Sequence, residues 1–324
     1  MENVMANPIR MKSPSVAILG AAIGMLSLSG AVFADTGKEP PVRSDMLVST
    51  DWLTKHLDDP KIVVLHIAKE RKHYDAGHIP GARFVAWDEL TATRDGVPNE
   101  LPPVADLQKL FERLGVGDDA RLILYGDMSG LFAARAYFTL DYLGHGKRAA
   151  LLDGGIEKWQ AEKQLISTKA SSVKLSSFTP QVRPDVVVGL DVTRDLSWVA
   201  AHVEKPRHAL IDARPEEEYT GETKGEGVPR GGHIPGAANV FWMRNLVSKE
   251  NPVMRPTAEL RQLYQATGAA PNDKVVTYCR TGGQAAHAYF TAKYLGYDVA
   301  MYDGSFIEWS KATRTPVTKG IQRK

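Results

Sequence analysis

Cys279 is the single cysteine of this 324-residue chain, and it opens the run Cys279-Arg280-Thr281-Gly282-Gly283-Gln284. With no second thiol to pair with, it is either an inert core residue or a nucleophile. A core cysteine has no use for an Arg-Thr-Gly-Gly loop, whereas a reactive one does. Glycines permit a tight turn in which successive backbone N–H groups converge on one anionic atom. A helix starting just beyond aims its free N–H groups the same way, and Arg280 adds a permanent cation. Such surroundings favour thiolate over thiol, and the thiolate is the attacking species. Cys279 is therefore expected to be more acidic than a free cysteine.

That geometry needs a strand ending at residue 278 and a helix beginning just after the glycines. Lys274-Val275-Val276-Thr277-Tyr278 is a short β-branched and aromatic run, and residues 284–295 read as helix. The alternation recurs along the chain. Further strand candidates are residues 62–65, 122–125, 149–152, 209–211 and 299–302, and further helix candidates are 107–114, 132–143 and 258–267. Continuous apolar strands interleaved with helices predict an α/β fold, with a mostly parallel sheet covered by helices on both faces.

The pattern occurs twice. His78-Ile79-Pro80-Gly81-Ala82 returns as His233-Ile234-Pro235-Gly236-Ala237, and Ala136-Tyr137-Phe138-Thr139 returns as Ala288-Tyr289-Phe290-Thr291. Asp153-Gly154 with Trp159 returns as Asp303-Gly304 with Trp309. Motifs in one order at a near-constant spacing mean a duplicated domain. Residues 42–165 read as the first copy, 166–185 as a linker rich in Ser, Lys, Thr and Pro, and 186–318 as the second copy. Where the second copy has Cys279, the first has Gly126, followed by Asp127-Met128-Ser129-Gly130 and one residue more in the loop. Glycine is no nucleophile and Asp127 repels anions. The first copy is thus expected to be non-catalytic and to wall one side of the other's site. His78 and His233 occupy equivalent places although only one copy has the cysteine, which points to a structural role. The repeated Trp159, Trp309, Tyr137 and Tyr289 read as core.

Lys plus Arg number 40 against 38 Asp plus Glu, a net of +2, and no long basic run occurs, which argues against nucleic acid as a partner. Arg10 and Lys12 precede an apolar run over residues 15–34 that ends in Val32-Phe33-Ala34. That is a secretory signal pattern, with cleavage expected after Ala34, so that residues 1–34 are removed. The mature chain is then expected in the periplasm or outside the cell, with no stable membrane association. An uncleaved anchor is the alternative, because the run is about long enough to cross a bilayer. No cluster of Cys, His and carboxylates stands at ligand spacing, so no metal and no other cofactor is expected. Two fused domains already supply a pairing, and a monomer is expected.

With Cys279 in a strand–loop–helix turn, the doubled His-Ile-Pro-Gly-Ala and the Asp-Gly…Trp endings, the chain resembles the tandem-domain rhodaneses. That group holds thiosulfate sulfurtransferases and 3-mercaptopyruvate sulfurtransferases. The resemblance spans residues 42–318 and implies two tandem rhodanese-like domains, each with a five-stranded parallel sheet, with chemistry in the second alone. It also implies a two-step reaction. The thiolate takes the outer sulfur of a small anionic donor, forming a persulfide, and a thiol or cyanide-like acceptor removes it. On that reading the N–H groups of Arg280, Thr281, Gly282, Gly283 and Gln284 cradle the terminal sulfur. Arg280 also meets the donor's charge, and Thr281 offers its hydroxyl to a donor oxygen. Arg214, closing Ile211-Asp212-Ala213-Arg214, matches a family arginine that meets the donor anion, at a strand end where ligands of parallel sheets gather.

The chain also departs from the pattern. Glu216-Glu217-Glu218-Tyr219 stands where some mercaptopyruvate enzymes carry a further arginine. Thiosulfate enzymes of the family carry Cys-Arg-Lys-Gly and mercaptopyruvate enzymes Cys-Gly-Ser-Gly, so Cys-Arg-Thr-Gly is mixed. A fixed cation helps a compact dianion more than a monoanion, which makes thiosulfate the expected donor and 3-mercaptopyruvate the second. Two other functions compete. A cysteine phosphatase needs an arginine six residues after the cysteine to grip phosphate, and Ala285 stands there. A secreted persulfide carrier, holding sulfur for one partner without rapid turnover, remains open.

Overall fold

The computed structural model describes residues 39–188 and 208–321, so the expected signal segment, residues 1–34, lies outside the described residues. The first copy contains β1 (Leu47–Val48), β2 (Ile62–Ala68), β3 (Arg83–Ala86), the hairpin β4 (Ala92–Arg94) and β5 (Val97–Glu100), β6 (Arg121–Gly126) and β7 (Ala149–Leu152). Its five-stranded sheet runs β1-β7-β6-β2-β3 with every pair parallel, while β4 and β5 pair antiparallel and stand apart. The second copy contains β8 (Val187–Val188), β9 (His208–Asp212), β10 (Ala238–Asn239), β11 (Lys274–Tyr278) and β12 (Asp298–Tyr302). They pair in the order β10-β9-β11-β12-β8, again all parallel.

Helices α1 (Thr50–His56), α2 (Arg71–Ala76), α3 (Val104–Arg113), α4 (Leu131–Tyr142) and α5 (Gly155–Ala161) belong to the first copy. The second has α6 (Glu216–Thr220), α7 (Thr257–Gln265), α8 (Gly283–Tyr294) and α9 (Ser305–Lys311). Strands β2 and β6 are buried along nearly their whole length, which is why they read as unbroken apolar runs. Helices α4 and α8 are buried all round, because each lies on its own sheet and also against the other. Tyr137 meets Phe290 at 5.0 Å between ring centroids and Phe138 meets Tyr289 at 5.1 Å, both edge to face. These pairs are exchanged by the repeat itself, so the copies are related by a pseudo-twofold axis between α4 and α8. A single apolar cluster runs through the inner faces of both copies and includes Cys279, while each outer face has a cluster of its own.

The Ser-, Lys- and Pro-rich segment has no helix or strand from residue 168 to 183, yet it is strapped to the first copy. Gln181 and Arg183 donate their N–H groups to the carbonyls of Leu143 and Tyr142 at 2.8 and 2.7 Å. Phe178 is buried between Phe111 and His145. His78 and His233 are buried too, stacked on Tyr74 at 3.7 Å and Tyr219 at 3.8 Å. Trp159, Trp309, Tyr137 and Tyr289 are also buried.

Candidate active site

Strand β11 delivers Cys279 to the carboxyl edge of the second sheet, and the chain turns at once into α8. Gly282 makes that turn possible: its φ is +86°, a conformation that favours glycine, and it forms the N-cap of α8. Its N–H donates to Cys279 Sγ at 3.1 Å. The cysteine is held from behind as well. Its own N–H donates to Ser305 Oγ at 3.3 Å, and its carbonyl accepts from Phe306 N–H at 2.9 Å. Ser305 has a φ of +55°, which a serine adopts at a cost, and its hydroxyl in turn donates to the Tyr302 carbonyl. The equivalent first-copy residue is Gly155, with a φ of +56°.

The expected acidity of Cys279 is corrected by its burial. Only 2% of the residue is exposed. Burial pushes the thiol above its ordinary value; the N–H groups of Ala285, Thr281 and Gly282 pull it back in part, and the Asp212 carboxylate adds to the rise. The N–H donors expected from the loop are therefore present, but desolvation outweighs them. Gly283 lines the loop where a Cβ would stand 3.5 Å from the Trp87 ring, and Gln284 is half-buried with its Oε1 lacking a hydrogen-bond partner.

Both arginines expected to meet a donor anion have carboxylates beside them. Arg214 is wholly buried. Its Nε donates to both oxygens of Asp212 at 2.9 and 3.1 Å, and its Nη2 donates to Asp212 and to the Gly232 carbonyl. The guanidinium lies 4.1 Å above the Phe306 ring. Burial alone would strip its proton more easily, but Asp212, Tyr278 and Glu218 more than offset that and keep it charged. Only Nη1 lacks a hydrogen-bond partner. Arg280 is about one-third exposed, and its Nη1 stands 3.8 Å from Glu218 Oε1.

The first copy supplies residues that sequence reasoning missed. Asn99, at the end of the β4–β5 hairpin and in a left-handed conformation (φ +63°), donates its Nδ2 to Thr281 Oγ1 at 2.9 Å. Trp87 Nε1 donates to Asn99 Oδ1, which fixes the amide so that the Thr281 hydroxyl accepts from it and keeps its own proton to give. Behind Gly282, Arg135 of α4 pairs with Asp303 at 2.6 Å, both with side chains fully buried, and Leu101 N–H donates to the second Asp303 oxygen at 2.7 Å. A Cβ on Gly282 would stand 3.1 Å from Arg135 Nη1 and from Asp303 Oδ1, so this cross-domain ion pair backs the loop directly. One sequence signal could have found it, namely an arginine amid the apolar run that opens α4. Nearby Glu100 is pushed up to about 8 by burial and by the neighbouring Asp303 and Glu308.

At Gly126, where the first copy could have carried a nucleophile, β6 runs one residue longer and pairs with Ile67. A Cβ there would stand 2.3 Å from the Ile67 carbonyl oxygen. Asp127 follows, paired with His73 and 3.7 Å from His66. Met128, Ser129 and Gly130 then all take positive φ. Among the described residues no group of His, Cys, Asp and Glu could hold a metal ion, and no helix is long and apolar enough to cross a membrane.

The Rhodanese-like domain family model matches residues 49–162 and 195–312. A sulfur carrier protein of Thermus thermophilus is 35% identical over 289 residues, covering 85% of this chain and 97% of that protein. A thiosulfate sulfurtransferase of Corynebacterium glutamicum is 32% identical over 293 residues, covering 86% and 92%. Among solved structures, SseA of Escherichia coli, described with the 3-mercaptopyruvate sulfotransferases, superposes with a TM-score of 0.69 at 27% identity, covering 80% of this chain and 98% of that one.

Proposed function

The chain belongs to the rhodanese family, and from that premise we propose that it is a sulfurtransferase working through a persulfide on Cys279. The thiolate attacks the sulfane sulfur of thiosulfate. The S–S bond of the donor breaks, sulfite leaves with the bonding pair, and Cys279 keeps the sulfur as an anionic persulfide. An acceptor such as cyanide or a thiol then attacks the outer sulfur, and the Sγ–S bond breaks to restore the thiolate. The observation that carries this reading is the position of Sγ. It is buried at a strand end, with the N–H groups of Gly282, Thr281 and Ala285 turned towards it, donors suited to the charge of a second sulfur atom.

Arg280 beside the nucleophile supports thiosulfate as the preferred donor with 3-mercaptopyruvate second. The Thr281 hydroxyl, held by Asn99 with its proton free, suits a donor oxygen. The apolar run ending at Ala34 supports a periplasmic or secreted protein, and the fused domains support a monomer. A second reading, a carrier that hands its sulfur to one partner, is favoured by the name of the Thermus thermophilus relative.

Intact-mass measurement after incubation with thiosulfate and desalting tests the persulfide. Wild type should gain one sulfur atom, lose it to cyanide, and Cys279→Ser should gain none while keeping its fold. Sulfur uptake by the serine variant would sink the mechanism. Rapid turnover with thiosulfate and cyanide separates the enzyme from the carrier, and a mature N-terminus at Asp35 is the expected mark of export.

A further inference from the structure

Both arginines of the site converge on one carboxylate. Glu218, on α6, places Oε2 4.0 Å from Arg214 Nη1 and Oε1 3.8 Å from Arg280 Nη1. Neither separation is a hydrogen bond. Oε2 and Arg214 Nη1 are both buried without a hydrogen-bond partner, which is costly for a charged pair that could close up. The chain is built to hold the carboxylate there. Gly225 takes a φ of +71°, and a Cβ on it would stand 2.8 Å from Glu218 Oε2 and 3.0 Å from Arg280 Cδ, so backbone presses on the pair from above. Two cations around one loosely held anion describe a site with a counter-ion already in it.

We propose that Glu218 is a specificity-determining residue that tempers the positive potential met by an anionic sulfur donor. The proposal rests on the sulfur-donor reading of the Cys279 loop. Asp212 already balances one of the two arginines, so with Glu218 in place the cluster carries no net charge and without it a net of one positive charge. Electrostatic attraction scales with the ligand's own charge, so the carboxylate restrains dianions about twice as strongly, on a logarithmic scale, as monoanions. It thereby lets a dianionic product such as sulfite leave the site that captured a dianionic donor.

Alkylation of Cys279 tests this without turnover, using iodoacetate as the anionic probe and iodoacetamide as its neutral twin at one pH. Glu218→Gln should raise the iodoacetate-to-iodoacetamide rate ratio by about fivefold. It should also lower KM for thiosulfate by about tenfold or more and make sulfite a stronger inhibitor, with a smaller fall in KM for 3-mercaptopyruvate. Glu218→Ala must move the ratio the same way. An unchanged or lower ratio in folded variants overturns the proposal, and failure of both variants to fold would assign Glu218 a structural role and overturn it too. If wild type takes no sulfur from thiosulfate yet the ratio rises, the sulfur-donor reading fails while the role of Glu218 on anions stands. If wild type loads sulfur and the ratio stays flat, only the role of Glu218 fails.

Discussion

Placing a cysteine in the first copy should fail to create a second site, for a reason visible in the backbone. A Cβ at Gly126 would stand 2.3 Å from the Ile67 carbonyl oxygen and 3.2 Å from two further Ile67 atoms. Relief needs a backbone shift in β2 or β6, and both strands are buried and paired on either side. Overpacking of this kind costs about 3 kcal/mol at its upper end, a sizeable part of a total stability of roughly 5–15 kcal/mol. For a domain pair of this size that lowers Tm by about 6–12 °C. The assay pairs thermal unfolding of Gly126→Cys and Gly126→Ala with sulfur uptake by the double variant Gly126→Cys, Cys279→Ser. The alanine variant carries the same Cβ without a thiol, so equal losses in the two single variants isolate sterics. Asp127 beside the new thiol should also hold off an anionic donor. A double variant with wild-type Tm that takes up sulfur would refute the reasoning, and the first copy would then be a latent catalyst.

Alkylation of cyanide-treated protein by iodoacetamide should show a midpoint above the free-thiol value of about 8.5, because burial outweighs the N–H donors; a midpoint at or below that value contradicts the account. Arg135→Met leaves Asp303 buried with no cation and should cost about 3–5 kcal/mol, read by urea unfolding, with Arg135→Met, Asp303→Asn recovering part of the loss. Glu100→Gln should flatten the pH dependence of Tm. The native carboxyl keeps its proton up to about 8, so its stabilising share is full below the ordinary carboxyl range and lost as pH rises through 8. Arg280→Gly should shift the kcat/KM ratio towards 3-mercaptopyruvate, and an unchanged ratio removes Arg280 from donor choice.

The strands and helices with a long apolar pattern were legible in the sequence to within a few residues, because burial on both faces leaves an unbroken run. β2, β6 and α4 are examples. The edge strands β1, β8 and β10 have two residues each, too few to show any period. The β4–β5 hairpin escaped for the same reason, and with it Asn99. Cys279, the tight glycine turn and the unreactive Gly126 could be read from residue types alone. The partners of the loop could not, because Trp87, Asn99, Leu101 and Arg135 reach it from the other copy across more than a hundred residues of chain. The acidity of Cys279 was misjudged because a sequence displays the donors around a thiol but not how little water reaches it. The glutamates near Tyr219 were visible as charge, while their convergence with Arg214 and Arg280 needed the fold.

The pseudo-twofold axis relates two interdomain sites that differ in the charge buried behind their loops. Backbone N–H groups bind both aspartates of the repeated Asp-Gly motif: Leu101 on Asp303 and Met254 on Asp153. Arg135 of α4 corresponds to His287 of α8 by the repeat. At the cysteine the pair is Arg135 with Asp303, an ion pair at full burial. At the other site His287 is lowered to about 4 by burial and the Asp153 carboxyl is raised by it, and both line a small cavity beside Ser129 and Gly130. One duplicated frame thus keeps a buried cation behind one loop and a neutral imidazole behind the other. Burying a charge is expensive unless it is paired with good geometry, as Arg135 is with Asp303, and the loop with the arginine behind it is the one that holds Cys279, the nucleophile of the proposed reaction. The arginine comes from the copy that lacks the cysteine. The second domain alone would therefore present Cys279 without the Asn99 contact and without the cation behind Gly282, which makes the duplication part of the site as well as part of the core.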